Sequence, residues 1–268
     1  MSGSELRLVL IGWGAISRRV AALLSERRAA VRIVGVGLRD AARAQDLPQS
    51  AEVLSDPATL ASIAADLVVE AAGRGSVTSW GRAALGAGCD FAVSSTSAFV
   101  DEALFAELLA LAQARGAQLI IPPGALGGMD ALSAAARLPL DTVCHQIIKP
   151  PAAWYGTGAE VLCDLAGLSA PVTFYEGSAR DAADAFAQNA NVAVISALAG
   201  IGLDRTQVAL VADPSAVLNS HIVTAEGAFG RMTIRLDNRP LATNPKSSEM
   251  TALSLVRLIE TRTGGLVI

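Results

Sequence analysis

The chain has 268 residues, of which 52% are hydrophobic and 17% are charged, and its net charge is −4. This composition excludes a disordered chain, and the length allows one large domain or two smaller ones to bury roughly three quarters of the unfolded surface. Without a basic surplus to neutralise phosphates, we expect no nucleic-acid partner.

The first half of the chain alternates short apolar runs with amphipathic segments of helical length. Continuous apolar strands separated by helices are typical of a parallel sheet that is covered on both faces. The predicted strands are Leu6–Ile11, Val31–Val36, Leu67–Ala71, Phe91–Ser94 and Gln118–Ile121, and the predicted helices are Ala15–Arg28, Pro57–Ala65, Ser76–Ala87 and Asp101–Arg115.

The pattern changes near residue 125. Longer extended runs and turns at "AEGAFG" and "LDNRP" predict a mixed or antiparallel sheet. We therefore predict an α/β protein, with a Rossmann-type dinucleotide-binding domain over residues 1–125 and a second, α+β domain over 126–245 for substrate and oligomerisation. The predicted strands are 141–149, 173–178 and 230–236, and the predicted helices are 128–137, 189–202 and 246–264, the last returning to the first domain.

A glycine turn follows the first predicted strand, where Gly12-Trp13-Gly14 leads directly into a helical pattern. The first glycine permits the turn, and the second lets the backbone approach a pyrophosphate at the helix N-terminus. We predict that Gly12, Gly14 and the first helical residues, Ala15 and Ile16, bind the phosphates of a dinucleotide. A plain strand-to-helix corner is the alternative.

The end of the second predicted strand, "GVGLRD", should meet the adenosine ribose. Asp40 is suited to accept the two ribose hydroxyls of NAD, whereas Arg39 is suited to pair with the 2′-phosphate of NADP. Solvated loop charges are the alternative. The mixed pattern predicts a site that accepts both NAD and NADP.

Only two histidines are available for acid–base chemistry near neutral pH. His145 lies on a predicted strand, on one face with Val143, Ile147 and Lys149, and a structural role is the commoner one for such a histidine. His221 follows Asn219 by two residues, so the two side chains share a direction on an extended chain. From spacing alone, either histidine remains a candidate.

Six segments occur in the order and spacing of a known family: "GWGAIS", "PPGALGGMDAL", "IIKPP", "NANVAVISALAGIG", "ADPSAVLNSHIV" and "NPKSSEMTALS". Over nearly its whole length the chain resembles the L-aspartate dehydrogenases. The resemblance implies NAD(P)-dependent oxidative deamination of L-aspartate, through iminoaspartate, to oxaloacetate and ammonia. In that family the imine can also feed quinolinate formation and pyridine nucleotide biosynthesis.

The resemblance also implies roles for particular residues. His221 is the catalytic acid–base, and Ala125 and Asn191 contact the nicotinamide side of the cofactor. A dicarboxylate substrate needs cationic or amide partners, for which Lys149, Lys246 and Asn219 are the candidates. A solvated charge is the alternative for either lysine.

The chain departs from the usual dinucleotide pattern at two places. Ser17 replaces the third glycine of the turn, and Leu38-Arg39 stands where many dehydrogenases have an acid. Two other functions therefore stay open. One is an oxidoreductase of the same fold that acts on another dicarboxylic amino acid, a keto acid or an imine, and the other is a non-catalytic dinucleotide sensor.

The cysteines Cys89, Cys144 and Cys163 have no close pairing, so we expect no metal site or redox motif. An odd number of thiols and no export signal predict a cytoplasmic protein. No apolar run reaches the roughly 18 residues of a membrane helix, so no membrane partner is expected. We expect a homodimer.

Overall fold

A computed structural model describes residues 5–40, 42, 44–187 and 191–267. The chain forms two compact units, with one junction between Pro122 and Pro123 and another between Thr251 and Ala252. Unit 1 consists of the described residues up to Pro122 and from Ala252 onward, and unit 2 consists of the described residues from Pro123 to Thr251. Across the described residues, no helix has the length and apolar character required to cross a membrane.

A parallel sheet organises unit 1. Its strands are β1 (Leu6–Ile11), β2 (Val31–Gly37), β3 (Glu52–Leu54), β4 (Leu67–Glu70), β5 (Asp90–Val93) and β6 (Leu119–Ile120). They pair in the order β3-β2-β1-β4-β5-β6, with every pairing parallel. Strand order reverses between β1 and β4, which is where sheets of this type bind ligands at their carboxyl ends. The predicted parallel sheet is confirmed, and only the three-residue β3 was not predicted.

Eight helices occur among the described residues. They are α1 (Ala15–Glu26), α2 (Arg74–Gly86), α3 (Glu102–Arg115), α4 (Met129–Ala135), α5 (Ala159–Leu162), α6 (Ala179–Ala185), α7 (Asn191–Ala199) and α8 (Glu249–Glu260). Helix α3 shows how local chemistry sets such bounds. Asp101 accepts a hydrogen bond from the Leu104 N–H at its start, and Gly116 ends it in the left-handed conformation with φ 67°.

The core of unit 1 forms where apolar faces of helices meet the sheet. Helix α1 buries Val20, Leu23 and Leu24 against β1 and β2, while its arginines face outward. Helix α8 contributes Leu255 and Ile259 to the same cluster. Burying these side chains contributes roughly 1.5–3 kcal/mol each relative to leaving them exposed.

A mixed sheet organises unit 2, as predicted. Its strands are β7 (Leu140–Lys149), β8 (Val172–Ser178), β9 (Gln207–Ala212), β10 (Asn219–Gly227) and β11 (Gly230–Asn238). They pair in the order β11-β10-β7-β9-β8, and only β7 and β9 are parallel to each other. Strands β9 and β10 were not among the predicted strands. The six-residue apolar run of β9 does not by itself distinguish a strand from a buried helix.

The structure corrects two predicted helix ranges. Only a 3-10 segment, Pro57–Ser62, forms within residues 57–65, because Ile63 is already extended. The last helix begins at Glu249 rather than at 246, because residues 244–248 form β13 (Asn244–Ser248), which pairs with β12 (Pro240–Leu241). Residues 189 and 190 of the predicted helix 189–202 lie outside the described residues.

Candidate active site

Gly12 brings the turn after β1 against the segment that follows β4. Its φ is +90°, and a Cβ atom at this position would lie 2.8 Å from the Cα of Ala72. Both the backbone conformation and the close approach therefore require glycine. Gly14 precedes α1, and a Cβ atom built on it would meet nothing within 4 Å. Its backbone faces open space rather than packed protein.

A cavity of about 700 Å³ lies at this edge of the unit 1 sheet. Three predicted cofactor residues, Gly12, Gly14 and Arg39, line it. Ala15 and Ile16 lie in the first turn of α1 and are not among the lining residues. The remaining lining residues are Ile11, Trp13, Gly37, Leu38, Asp40, Ala71, Ala72, Gly73, Arg74, Gly75, Ser76, Ser79 and Trp80.

The start of α2 forms part of this cavity and was missed by the sequence analysis. Glu70, at the end of β4, is fully buried and accepts hydrogen bonds at 2.8 Å from the N–H groups of Ala72 and Gly73 and from the Ser76 hydroxyl. It also accepts from the Ser95 N–H and hydroxyl, at 3.1 and 3.0 Å. The sequence does contain a signal for this feature: Glu70 ends an apolar run and is followed directly by the small-residue segment "AAGRGS".

The cavity has the character of an anion-binding site. Helix α1 begins at it with no side-chain N-cap and no acidic residue in its first turn, whereas the Glu70 carboxylate already accepts hydrogen bonds at the start of α2. Helix N-termini of this kind attract phosphate oxygens through their N–H groups and dipoles. The open space at Gly14 gives such a group room, so these residues fit a dinucleotide pyrophosphate.

Arg39 and Asp40 follow β2 and are exposed at the rim of the same cavity. The Asp40 carboxylate accepts a hydrogen bond from the Ala42 N–H at 2.9 Å. Ser17, the residue in place of the third glycine, is 1% exposed, so its side chain is small enough for the packed position it occupies.

In unit 2 the two histidines lie on neighbouring strands and touch. Strand β7 buries Val143, His145, Ile147 and Lys149 on one face, which confirms that prediction. The Nε2 atom of His145 lies 3.2 Å from the Nδ1 atom of His221, and the Nδ1 atom of His145 lies 2.9 Å from the Ser196 hydroxyl on α7. Both histidines are almost fully buried.

Burial makes both imidazoles neutral near pH 7. It lowers the pKa of His145 to about 3. The pKa of His221 is also lowered well below 6.5, chiefly by burial and further by His145 and Lys149. A neutral imidazole is able to accept a proton, whereas an imidazolium is not.

Lys149 is a buried cation beside this pair. It is 4% exposed, and its pKa is lowered to about 8 by burial and then by the positive charge of Lys246. Its Nζ atom lies 5.4 Å from the centroid of the Trp154 ring. Lys246, on β13, donates from Nζ to the Tyr155 carbonyl at 3.0 Å. The structure thus brings the two lysines near enough to affect each other's charge.

Asn219 adds a buried hydrogen-bond acceptor. Its side chain is fully buried, and its Nδ2 donates to the Ser248 hydroxyl at 3.4 Å. Its Oδ1 atom finds no hydrogen-bond donor within the described part of the chain. A buried acceptor without a donor is costly, so a donor supplied by a ligand would stabilise it.

The two predicted nicotinamide-side residues also lie in unit 2. Ala125 is 5% exposed, and its carbonyl accepts a hydrogen bond from Asn238 Nδ2 at 2.9 Å. Asn191 is the first residue of α7 and is half-buried. Their contact with a cofactor remains a prediction.

The fold and these side chains define a class of protein. A parallel sheet in this order with a glycine-lined cavity, followed by a unit that buries acid–base side chains, is the organisation of an NAD(P)-dependent dehydrogenase. Residues 12–122 match the family model described as homoserine dehydrogenase, NAD binding domain. Residues 130–262 match the model described as aspartate dehydrogenase, C-terminal.

Relatives identify the particular family. The chain is 62% identical, over all of both chains, to an L-aspartate dehydrogenase of Brucella anthropi. It is 42% identical to an L-aspartate dehydrogenase of Ruegeria pomeroyi, over 97% of this chain and 94% of that one. The chain therefore belongs to the L-aspartate dehydrogenase family, with an NAD- or NADP-binding first unit.

A solved structure has the same fold. The aspartate dehydrogenase of Thermotoga maritima superposes with a TM-score of 0.80 at 24% sequence identity. The superposition covers 98% of this chain and 99% of that one.

The buried histidines predict how stability depends on pH. Unfolded histidine has a pKa near 6.5, so between about pH 6.5 and 3 the unfolded chain binds more protons than the folded chain, and stability falls as pH falls. Each histidine contributes a slope of about 1.4 kcal/mol per pH unit. The free energy of unfolding is to be measured with urea at pH 6.5, 5.5 and 4.5. In His145→Gln it should fall less steeply with decreasing pH than in the wild type, by about 1.4 kcal/mol per pH unit. Equal slopes would contradict the neutral buried pair.

Gly14 should be essential for cofactor affinity but not for folding. We expect Gly14→Val to place its side chain in the cavity and to weaken NADH binding by at least about tenfold, which corresponds to 1.4 kcal/mol. Gly86→Val, on α2 and away from the cavity lining, is the matched control because a Cβ atom there also meets open space. Calorimetric titration measures the NADH affinity of both variants. Equal affinity in the two would show that the Gly12–Gly14 turn only connects a strand to a helix and does not bind the cofactor.

Proposed function

We propose that this chain is an NAD(P)-dependent L-aspartate dehydrogenase. It converts L-aspartate, water and NAD(P)⁺ into oxaloacetate, ammonium and NAD(P)H with release of a proton, through iminoaspartate. One observation carries the proposal: a neutral histidine pair is buried beside Lys149 and Asn219, whose Oδ1 accepts no hydrogen bond from the described residues. These groups provide a base, a cation and an acceptor for an amino dicarboxylate.

The oxidised nicotinamide, when bound, accepts a hydride from the substrate Cα. We assign the phosphates of the cofactor to Gly12, Gly14 and the first turn of α1, Ala15 and Ile16. Arg39 is assigned to the adenosine ribose. The nicotinamide side is assigned to Ala125 and Asn191, as in the family that the chain belongs to.

We assign the proton transfers to His221. Its Nδ1 faces His145, so Nε2 is the nitrogen left to accept a proton from the substrate ammonium group. The resulting amine is able to become an iminium. After releasing that proton to solvent, the same nitrogen accepts a proton from the water that attacks the iminium carbon. It returns this proton to the amino group, which leaves as ammonium. Its low pKa keeps it neutral at the start of each cycle.

The substrate carboxylates are assigned to the two lysines. Lys149 lies beside the histidine pair, and Lys246 lies near enough to lower the pKa of Lys149. A dicarboxylate that bound between them would offset their mutual repulsion and the cost of burying Lys149. Asn219 Oδ1 is assigned as acceptor for the substrate amino group.

The assay that tests this function measures NAD(P)H formation with each of the twenty common amino acids. We expect L-aspartate to give the highest kcat/KM. His221→Ala should retain NADH affinity and lose about 10²–10⁴-fold in kcat, because general acid–base catalysis is worth that much. A better substrate among the other amino acids would make the chain a different oxidoreductase. Cofactor binding without turnover of any of them would favour a dinucleotide sensor.

Arg39 should set the balance between the two cofactors. A guanidinium makes charge-assisted hydrogen bonds to a 2′-phosphate, each worth roughly 1.5–3 kcal/mol at best, and exposure reduces this value. Arg39→Ala should therefore lower kcat/KM for NADP more than for NAD, measured at one ionic strength. Arg32→Ala, an exposed arginine outside the cavity lining, is the control. Equal losses for both cofactors would leave the choice to Asp40 or the backbone.

We also infer a cytoplasmic enzyme that acts as a homodimer. All three thiols are free, which is usual in a reducing compartment. Strand β7, central in the unit 2 sheet, exposes Thr142, Cys144 and Gln146 on the face opposite the histidines. An open sheet face is a suitable surface for a second copy of this chain.

A further inference from the structure

A continuous row of hydrogen-bonding groups leads from the backbone of α7 to His221. The Ser196 hydroxyl lies 3.0 Å from the Ala193 carbonyl and 2.9 Å from His145 Nδ1. His145 Nε2 lies 3.2 Å from His221 Nδ1. Every side chain in the row is buried, with Ser196 fully inaccessible and both histidines at most 2% exposed.

The positions of the hydrogens follow from counting donors. A carbonyl is only an acceptor, so the contact with Ala193 requires the single hydroxyl hydrogen of Ser196. The Ser196 oxygen then accepts from His145, which places the hydrogen of that imidazole on Nδ1. Because a neutral imidazole carries one ring hydrogen, His145 Nε2 is an acceptor. His221 must therefore donate from Nδ1, and its Nε2 has no hydrogen.

The opposite arrangement makes fewer hydrogen bonds. If Ser196 donated to His145 Nδ1, then His145 Nε2 would donate to His221, and the Ser196–Ala193 bond would be lost. His221 would then carry its hydrogen on Nε2 and could not accept a proton there. In a buried site, the arrangement that satisfies one more hydrogen bond is favoured.

We propose that His145, held by Ser196, is a positioning residue that keeps His221 in the Nδ1–H tautomer and so presents an unprotonated Nε2 to the substrate. This inference rests on the proposed function, because it assumes that His221 is the base. Burial, which keeps both rings neutral, supports the inference, since a protonated ring would leave no acceptor in the row. The groups that act on His221 electrostatically are His145 and Lys149.

The tautomers can be measured without any activity. The chain has only two histidines, so ring-¹⁵N-labelled histidine gives four nitrogen signals from the whole protein. Between pH 6 and 8 we expect both Nδ1 atoms to carry hydrogen and both Nε2 atoms to be bare. His145→Gln leaves one histidine and assigns the signals. An Nε2–H form of His221 would overturn the proposal, whatever the turnover of the enzyme.

Two variants of His145 separate positioning from simple packing. A glutamine oxygen reaches the place of Nε2 and is able to accept from His221, whereas an asparagine amide reaches only the place of Nδ1 and engages Ser196. We expect His145→Asn to lose about 10–100-fold in kcat, the usual cost of losing a partner that fixes a tautomer, with KM for aspartate and NADH affinity little changed. His145→Gln should restore most of that loss.

Equal losses in the Asn and Gln variants, or none in either, would overturn the positioning role. His221→Ala with wild-type kcat would overturn both this inference and the proposed base. An inactive His221→Ala together with an Nε2–H tautomer in the wild type would overturn this inference alone.

Discussion

The register between β7 and β10 is the constraint on which the candidate active site depends. His221 pairs with Ile147, and His145 pairs with Val223, so the two histidines are diagonal neighbours on one face of the sheet. A slip of one residue would turn one of the histidines to the opposite face. The same face carries Lys149, so the register sets the acid–base pair and its cationic neighbour at once.

Burial gives this polar group its chemical character. In water, His145 and His221 would be partly protonated near pH 6.5 and Lys149 would be firmly charged, but the surrounding protein disfavours every one of these charges. The pair stays neutral, and the lysine is held with a charge that an anionic partner would stabilise. Such an arrangement lowers stability in the free protein, which is the usual character of a site built to bind and react.

Unit 1 achieves its chemistry through backbone rather than side chains. Gly12 allows the turn after β1 to touch Ala72, and the buried Glu70 carboxylate orders the N–H groups that open α2. The result is a cavity at which α1 and α2 both begin. Sequence patterns detect the glycines of such a site more readily than its supporting carboxylate, because a single acid at a strand end has many possible roles.

The sequence by itself determined the parallel sheet of unit 1, a mixed or antiparallel sheet in unit 2, the Gly12–Gly14 turn and the buried face of β7. These features depend on local periodicity and on residues whose conformational needs are visible in isolation. Only the tertiary structure decided that His145 and His221 are hydrogen-bonded, that Glu70 organises the loop after β4, and that residues 244–248 are a strand. These residues are up to 76 positions apart, and their contacts follow from strand pairing and packing, which no local pattern of one sequence encodes.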